Sequence, residues 1–190
     1  MRPAVVKLGG GLLASGGALD RVCAAVAALG RREPVVVVPG GGPLADAVRE
    51  LDRRIGLSPD AAHWMAILAM DQHAHLLAER IPGARLVEEP GAIAAVIAVG
   101  EVAVLAPSRW MRAADVLPHA WDVTSDSIAA FVAGALEAVR LDLVKAADVG
   151  MDGVDRCFAT VVPVGLEVRV LGWERFVEEA LSPRAEPRSG

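Results

Sequence analysis

Lys7 and Lys145 are the two lysines among 19 basic residues, the other 17 being arginine. Where arginine carries nearly all positive charge, a lysine suggests a position needing a compact ammonium on a flexible stem, which can follow a moving phosphoryl group as a planar guanidinium cannot. The plainer alternative is chance retention of two lysines. Lys7 is followed by Gly9, Gly10 and Gly11. A run without side chains lets backbone N–H groups point at phosphate oxygens as a nest, with the Lys7 ammonium over the same oxygens. Such a set neutralises charge on a phosphoryl group in transfer, where positioning and electrostatics supply most of the catalysis. A second run, Gly40, Gly41 and Gly42, follows a second apolar segment. A pair of packing turns is the competing reading of the two runs. Neither run has Walker A or dinucleotide-fingerprint spacing.

Three further groups carry polar chemistry. Residues 121–127 concentrate Asp122, Thr124, Ser125, Asp126 and Ser127 just before an apolar segment. Ser125 or Asp126 could simply cap a helix there, but the cluster holds more hydroxyls and carboxylates than a cap needs. Lys145 is followed by Asp148, Asp152 and Asp155, so it could reach nucleotide phosphates, with a carboxylate helping to hold Mg2+; a solvated loop is the alternative. His63, His73 and His75 share one long helical segment without a clear metal-ligand pattern, and are read as solvated or capping histidines. The nearby Trp64, Met65, Leu68 and Met70 read as core or subunit interface. Cys23 and Cys157 form neither a metal-spaced pair nor a disulfide framework, and Cys23, among alanines and valines, reads as a buried thiol.

The elements that would position these groups alternate in type. Residues 4–8 are a short apolar run that reads as a strand stopping at a tight loop, and 34–38, β-branched after Pro34, read as a strand buried on both faces. Each ends in glycines and leads into a helical segment, 18–29 and 44–55. A capped helix follows over 61–80, then strand 85–87, a helix-favouring 90–99 and strand 102–106. Residues 107–123 read as irregular, 125–139 as helix and 141–145 as strand. Beyond 146 the pattern weakens to a strand at 167–171 and a helix at 173–181. Alternating strands and helices imply an open, mainly parallel sheet with helices on both faces. Ligands of such sheets sit at the carboxyl ends of strands, where both glycine runs fall.

Composition narrows the function classes. Hydrophobic residues are 54% of 190 while aromatics are 4%, so Ala, Val and Leu must fill the core of an α/β fold. A net charge of -5 argues against nucleic acid as the main ligand. The most apolar stretch, 92–99, is far short of the roughly 20 residues that span a bilayer. The N-terminus sets a lysine and glycines where a signal peptide would need an apolar run. A soluble, cytoplasmic protein is expected.

Three segments together resemble the amino acid kinase superfamily, which includes acetylglutamate, aspartate, uridylate and isopentenyl phosphate kinases. They are Val6-Lys7-Leu8-Gly9-Gly10-Gly11-Leu12-Leu13, Val37-Val38-Pro39-Gly40-Gly41-Gly42-Pro43, and Thr124-Ser125-Asp126-Ser127-Ile128-Ala129-Ala130. The resemblance covers roughly residues 4–150. It implies that Lys7 contacts the transferring phosphoryl group, that Gly10 and Gly11 donate amides to it, and that Asp126 orients the lysines. Gly40, Gly41 and Gly42, with Thr124 and Ser125, would hold the acceptor; Gly9, Lys145, Asp148 and Asp152 would serve ATP with Mg2+, and no side chains are expected to form a dedicated metal site. Residues 60–67 and 121–127 are also similar to the short kinase-like proteins of methanofuran biosynthesis, which phosphorylate an aminomethylfuran-methanol phosphate to the diphosphate. The chain departs from the family at Gly11, where serine is usual, and in lacking a Gly-Met-x-x-Lys segment and a closing Gly-Thr after Asp152-Gly153-Val154; Lys145 would then supply the second lysine. By resemblance, residues 1–181 form one domain, with an acceptor-side lobe at 1–124, a shortened nucleotide-side lobe at 125–181 and a flexible tail at 182–190. Homo-oligomers are expected. The competing class is a non-catalytic binding or assembly protein that keeps the fold, and a kinase for a carboxylate or another phosphate acceptor also stays open.

Overall fold

The first two apolar runs lie side by side at the middle of one sheet. In a computed structural model describing residues 1–182, β1 (Ala4–Leu8) and β2 (Val35–Pro39) are wholly buried and pair in parallel, Lys7 opposite Val38. Their β-branched residues suit a pleated surface covered on both sides. With β3 (Ala84–Val87), β4 (Val102–Leu105), β5 (Arg140–Lys145) and β6 (Glu167–Gly172), they form a six-stranded sheet in the order β3-β4-β2-β1-β5-β6. Every pairing is parallel. The chain builds leftward from β1 through β2, then returns to add β5 on its right, so the strand order switches direction around β1, where such sheets bind ligands.

Alternate strand residues face opposite layers. Val5, Val36 and Val38 pack in one core cluster; Val6, Leu8, Val35 and Val37 pack in the other. Helices α1 (Ala18–Gly30) and α8 (Trp173–Leu181) contribute to the second cluster, while α4 (Pro90–Ala98) and α6 (Ser125–Ala135) contribute to the first. Helix α2 (Gly42–Ile55) precedes the long α3 (Pro59–Arg80), which starts where the Ser58 hydroxyl accepts from the Ala61 amide behind Pro59. No helix among the described residues is long and apolar enough to cross a membrane.

The structure departs from the expected elements in three places. Residues expected to be irregular include α5 (Ser108–Ala114), closed by Asp115 in a left-handed conformation at φ 44°. The helix expected over 125–139 stops at Ala135. The amide of Glu137, at φ 49°, donates to Gly134 and that of Ala138 to Ala133, a Schellman closure without glycine. A four-residue helix, α7 (Phe158–Val161), appears in the weakly patterned region. Beyond Ser182 the expected tail lies outside the described residues.

Candidate active site

Parallel register brings the two lysines to neighbouring strand ends. Leu8 on β1 lies opposite Val144 on β5, one residue before Lys145. Asp126, in the first turn of α6, bridges them: Lys7 Nζ is 2.8 Å from Oδ1 and Lys145 Nζ 2.6 Å from Oδ2. The Lys145 contact is an aligned hydrogen bond, and Lys145 also donates to the Gly153 carbonyl at 3.0 Å. The Lys7 contact engages one of the ammonium's three donors, which leaves the others to turn toward a ligand. Burial pushes Lys7 below its ordinary value and Asp126 offsets part of that shift. Burial alone would raise Asp126, but the two ammonium groups outweigh it and hold the carboxyl below its usual range. Two cations thus share one anion in a low-dielectric corner.

The glycine runs meet each other there. The chain turns at Gly9 into a 3-10 turn over Gly10–Ala14, whose first amides have no acceptor within the turn. A Cβ on Gly10 would stand 2.1 Å from Gly42 Cα, main chain against main chain. Gly42 itself has φ +56° as it opens α2, so both the close approach and the conformation require glycine. Lys7, Gly10, Gly11, Gly41 and Gly42 border a cavity of about 740 Å³, as do Thr124, Ser125, Asp126, Lys145 and Asp152. This volume is ordinary for a small-molecule site.

Three expected site residues do not border the cavity. Gly9 backs it: its amide donates to the Val144 carbonyl at 2.9 Å, and a Cβ there would stand 2.9 Å from that oxygen. Gly40 ties the loops together, its amide donating to Leu8 at 2.7 Å and its carbonyl accepting from His73 Nδ1 at 2.6 Å. Asp148 turns away, accepting from the Gly172 amide at 2.6 Å. That contact fixes the end of β6 rather than a ligand. His63 and His73, read as solvated or capping, are both buried; Gly40 holds His73 as the Nδ1–H form, and burial lowers its pKa. Cys23 is buried and burial raises its thiol to about 11. Ile67 and Met70 lie in the core with Trp64 packed against them.

Helix α6 is held by a residue given only a minor place in the sequence reading. Thr124 is its N-cap, accepting from the Asp126 amide at 3.3 Å. Asp155 accepts from the amides of Thr124 and Ser127, from both of their hydroxyls, and from the Phe158 amide that opens α7. Capping and ion pairing therefore fall to different residues, which frees Asp126 for the lysines. On the other side of the cavity, Trp121 Nε1 donates to Asp52 at 2.7 Å while the Arg49 guanidinium lies 4.9 Å from the Trp121 ring centre. His63 and His119 also line the cavity there. None of these pairings follows from local spacing.

A family model described as the amino acid kinase family matches residues 2–160. The chain belongs to the amino acid kinase family. It is 31% identical over 150 residues to a 5-(aminomethyl)furan-3-yl methyl phosphate kinase of Methanocaldococcus jannaschii, covering 79% of this chain and 67% of that protein. Among solved structures it resembles the uridylate kinase of Archaeoglobus fulgidus, with TM-score 0.59 and 23% identity over 78% of this chain and 64% of the other. The UMP kinase of Bacillus anthracis gives 0.58 and 15%, over 78% and 66%. The chain thus spans just under two thirds of either solved kinase, and at these identities the likeness concerns the fold alone.

Proposed function

We propose that this kinase-family chain transfers the γ-phosphoryl group of ATP to an oxygen of a small phosphate monoester, the acceptor being an aminomethylfuran-methanol phosphate and the product its diphosphate. The observation that carries the reading is the Lys7–Asp126–Lys145 triad opening onto the cavity beside the two interlocked glycine loops. The 31% identity to the aminomethylfuran-methyl phosphate kinase supports the choice of acceptor.

In this reading the acceptor phosphate rests on the Gly41 and Gly42 main chain, where α2 begins. Lys7 and the Gly10 and Gly11 amides meet the group in transfer, stabilising the charge that accumulates on its equatorial oxygens. An acceptor oxygen bonds to the γ-phosphorus as the bond to the β–γ bridging oxygen breaks, and ADP leaves. Asp126 holds both ammonium groups in place without neutralising either fully. Thr124 and Ser125 face the acceptor, and Lys145 and Asp152 face the nucleotide. Among the described residues no cluster of three metal-ligating side chains exists. Both oxygens of Asp126 are taken by lysines and Asp155 is occupied by amides and hydroxyls, whereas Asp152 borders the cavity without a hydrogen bond or ion pair among the described residues. This set fits Mg2+ that arrives with the nucleotide and takes at most one carboxylate from the protein, for which Asp152 would serve; the ion would supply positive charge against the phosphates.

A division into an acceptor-side lobe at 1–124 and a nucleotide-side lobe at 125–181 accompanies this reading, as do a cytoplasmic setting and homo-oligomeric assembly. The direct test is to incubate the protein with Mg-ATP and the phosphate monoester and follow ADP and the diphosphate by 31P NMR. Stoichiometric ADP and diphosphate are expected. Calorimetry showing no Mg-ATP binding at millimolar nucleotide would instead favour a non-catalytic binding protein.

A further inference from the structure

One stripe of α3 faces the cavity: Ala62, His63, Ala66, Ile67 and Met70, at the three- and four-residue steps that share a helix face. Four of the five offer only methyl, methylene or thioether surface. His63 is the one strong hydrogen-bonding side chain in the stripe, and among the described residues neither of its ring nitrogens has a hydrogen-bond partner. Its ring is fixed all the same. It stacks on His119 with centroids 4.1 Å apart and planes 19° from parallel, and meets the edge of Trp64 at 4.8 Å. His119 is itself held on both nitrogens, by Asp60 at 2.6 Å and Asp115 at 2.9 Å.

The charges around the stack decide what His63 can receive. The two carboxylates bonded to His119 raise its pKa. Burial, then His119, lowers His63 to about 4, so its imidazole is neutral at physiological pH and keeps one unprotonated nitrogen. Two carboxylates, Asp60 and Asp115, on the single His119 ring leave this corner with net negative charge. Arg112 lies 4.4 Å from the Trp64 ring centre, so its charge meets the indole, not the open nitrogens.

Distance sets the size of the ligand. The Ala66 carbonyl is 3.8 Å from where a Gly41 Cβ would stand, so Ala66 sits beside the acceptor loop. His63 is one turn nearer the start of α3, about 5 Å along its axis. A phosphate on the Gly41–Gly42 loop and a group at His63 are therefore separated by about the width of one small ring, with Ala62, Ala66 and Ile67 along the way.

We propose that His63 is an acceptor-binding residue that sets specificity, accepting a hydrogen bond from a primary ammonium carried on a small flat ring whose phosphate occupies the Gly41–Gly42 loop. This rests on the acceptor reading above and adds to it the residue that recognises the amine. His119, clamped by Asp60 and Asp115, positions the ring from behind.

The test compares two acceptors on wild type and on His63→Phe, which keeps the stacked ring and removes both nitrogens. One acceptor is the aminomethylfuran-methanol phosphate; the other carries methyl in place of aminomethyl. In His63→Phe, kcat/KM for the amine should fall about 10- to 100-fold, mainly through KM, while the methyl compound changes less than about threefold. His63→Gln, which keeps an acceptor atom, should recover part of the loss. Equal losses on both compounds, or none on either, would overturn the proposal while leaving the kinase reading intact. Wild type that phosphorylates neither compound overturns the acceptor reading and this proposal with it. If His63→Phe does not fold, calorimetric affinities of the two compounds for His63→Gln and wild type decide by the same ratio.

Discussion

The two ends of the sheet carry the same electrostatic device put to different ends. At the carboxyl end, Asp126 lies between Lys7 and Lys145. At the amino end, Asp142 on β5 is fully buried between Arg140, whose Nε is 3.0 Å away, and Arg169 of β6 at 2.6 Å. The amino-end arginines have further anions: Arg140 pairs with Glu33 and Arg169 with Glu179. Each of these arginines thus has two carboxylate partners, and the hollow beside them is about 230 Å³ against about 740 Å³ at the other end. Burial would lower Arg140, but its two carboxylates hold it raised. Arginine forks lock several carboxylates at once; lysine point charges leave directions open. A closed network secures β5 to β6 and the chain before β2, whereas a triad one anion short keeps positive charge for something that comes and goes.

Four substitutions probe that contrast, the largest effect first. Asp142→Asn leaves two guanidinium groups short of a buried partner and should cost about 3–5 kcal/mol of unfolding free energy, while kcat of the folded protein stays within about twofold; urea titration and initial rates read the two. A loss of kcat without a loss of stability would erase the distinction between the ends. Lys7→Ala should weight the two readouts the other way, cutting kcat at least ~100-fold, about 2.7 kcal/mol of barrier, with a smaller stability loss than Asp142→Asn because Lys145 still pairs with Asp126. Normal turnover in folded Lys7→Ala protein would remove the lysine from the chemistry.

Asp126→Asn should lower kcat about 10-fold and carries a pH signature. Asp126 offsets part of the burial shift on Lys7, so without it Lys7 loses its proton at lower pH. Because the protonated form is the active one, the alkaline limb of the kcat profile moves down in pH. An unmoved limb would mean that Asp126 does not govern that ammonium. In the wild type, the depressed Asp126 carboxyl contributes stability above its unfolded value, and this is lost as pH falls through the folded one. The smallest effect belongs to Thr124→Ala, about 1 kcal/mol of stability from the lost N-cap, measured by urea denaturation; Asp155 still accepts from the amides of Thr124 and Ser127.

The glycine loops, the central strands and Lys7 were readable because each is a local signal: β-branched runs bounded by glycine, and one residue type used almost nowhere else. Asp126 was readable through family resemblance rather than spacing. The hub at Asp155 was not, since its bonds to Thr124 and Ser127 cross 31 and 28 residues of chain. Helix α5 and the early end of α6 were hidden because Asp115 and Glu137 take left-handed conformations in which glycine is the usual signal. The polar mid-helix His63 and His73 looked solvated because their burial depends on the Asp115–Val123 segment and the Gly40 loop folding onto α3.

The contact between Gly10 and Gly42 has a consequence for heredity. A Cβ on Gly10 would collide with the main chain of Gly42, while a side chain on Gly42 would be strained by its left-handed φ of +56°, so no side-chain change elsewhere in the sequence relieves either. A saturation library would tolerate no exchange at Gly10, and a second-site suppressor search there would come back empty. Descendants of this gene can explore new acceptors through α3 and the 119–123 wall, but the two loops pass between generations as a single character.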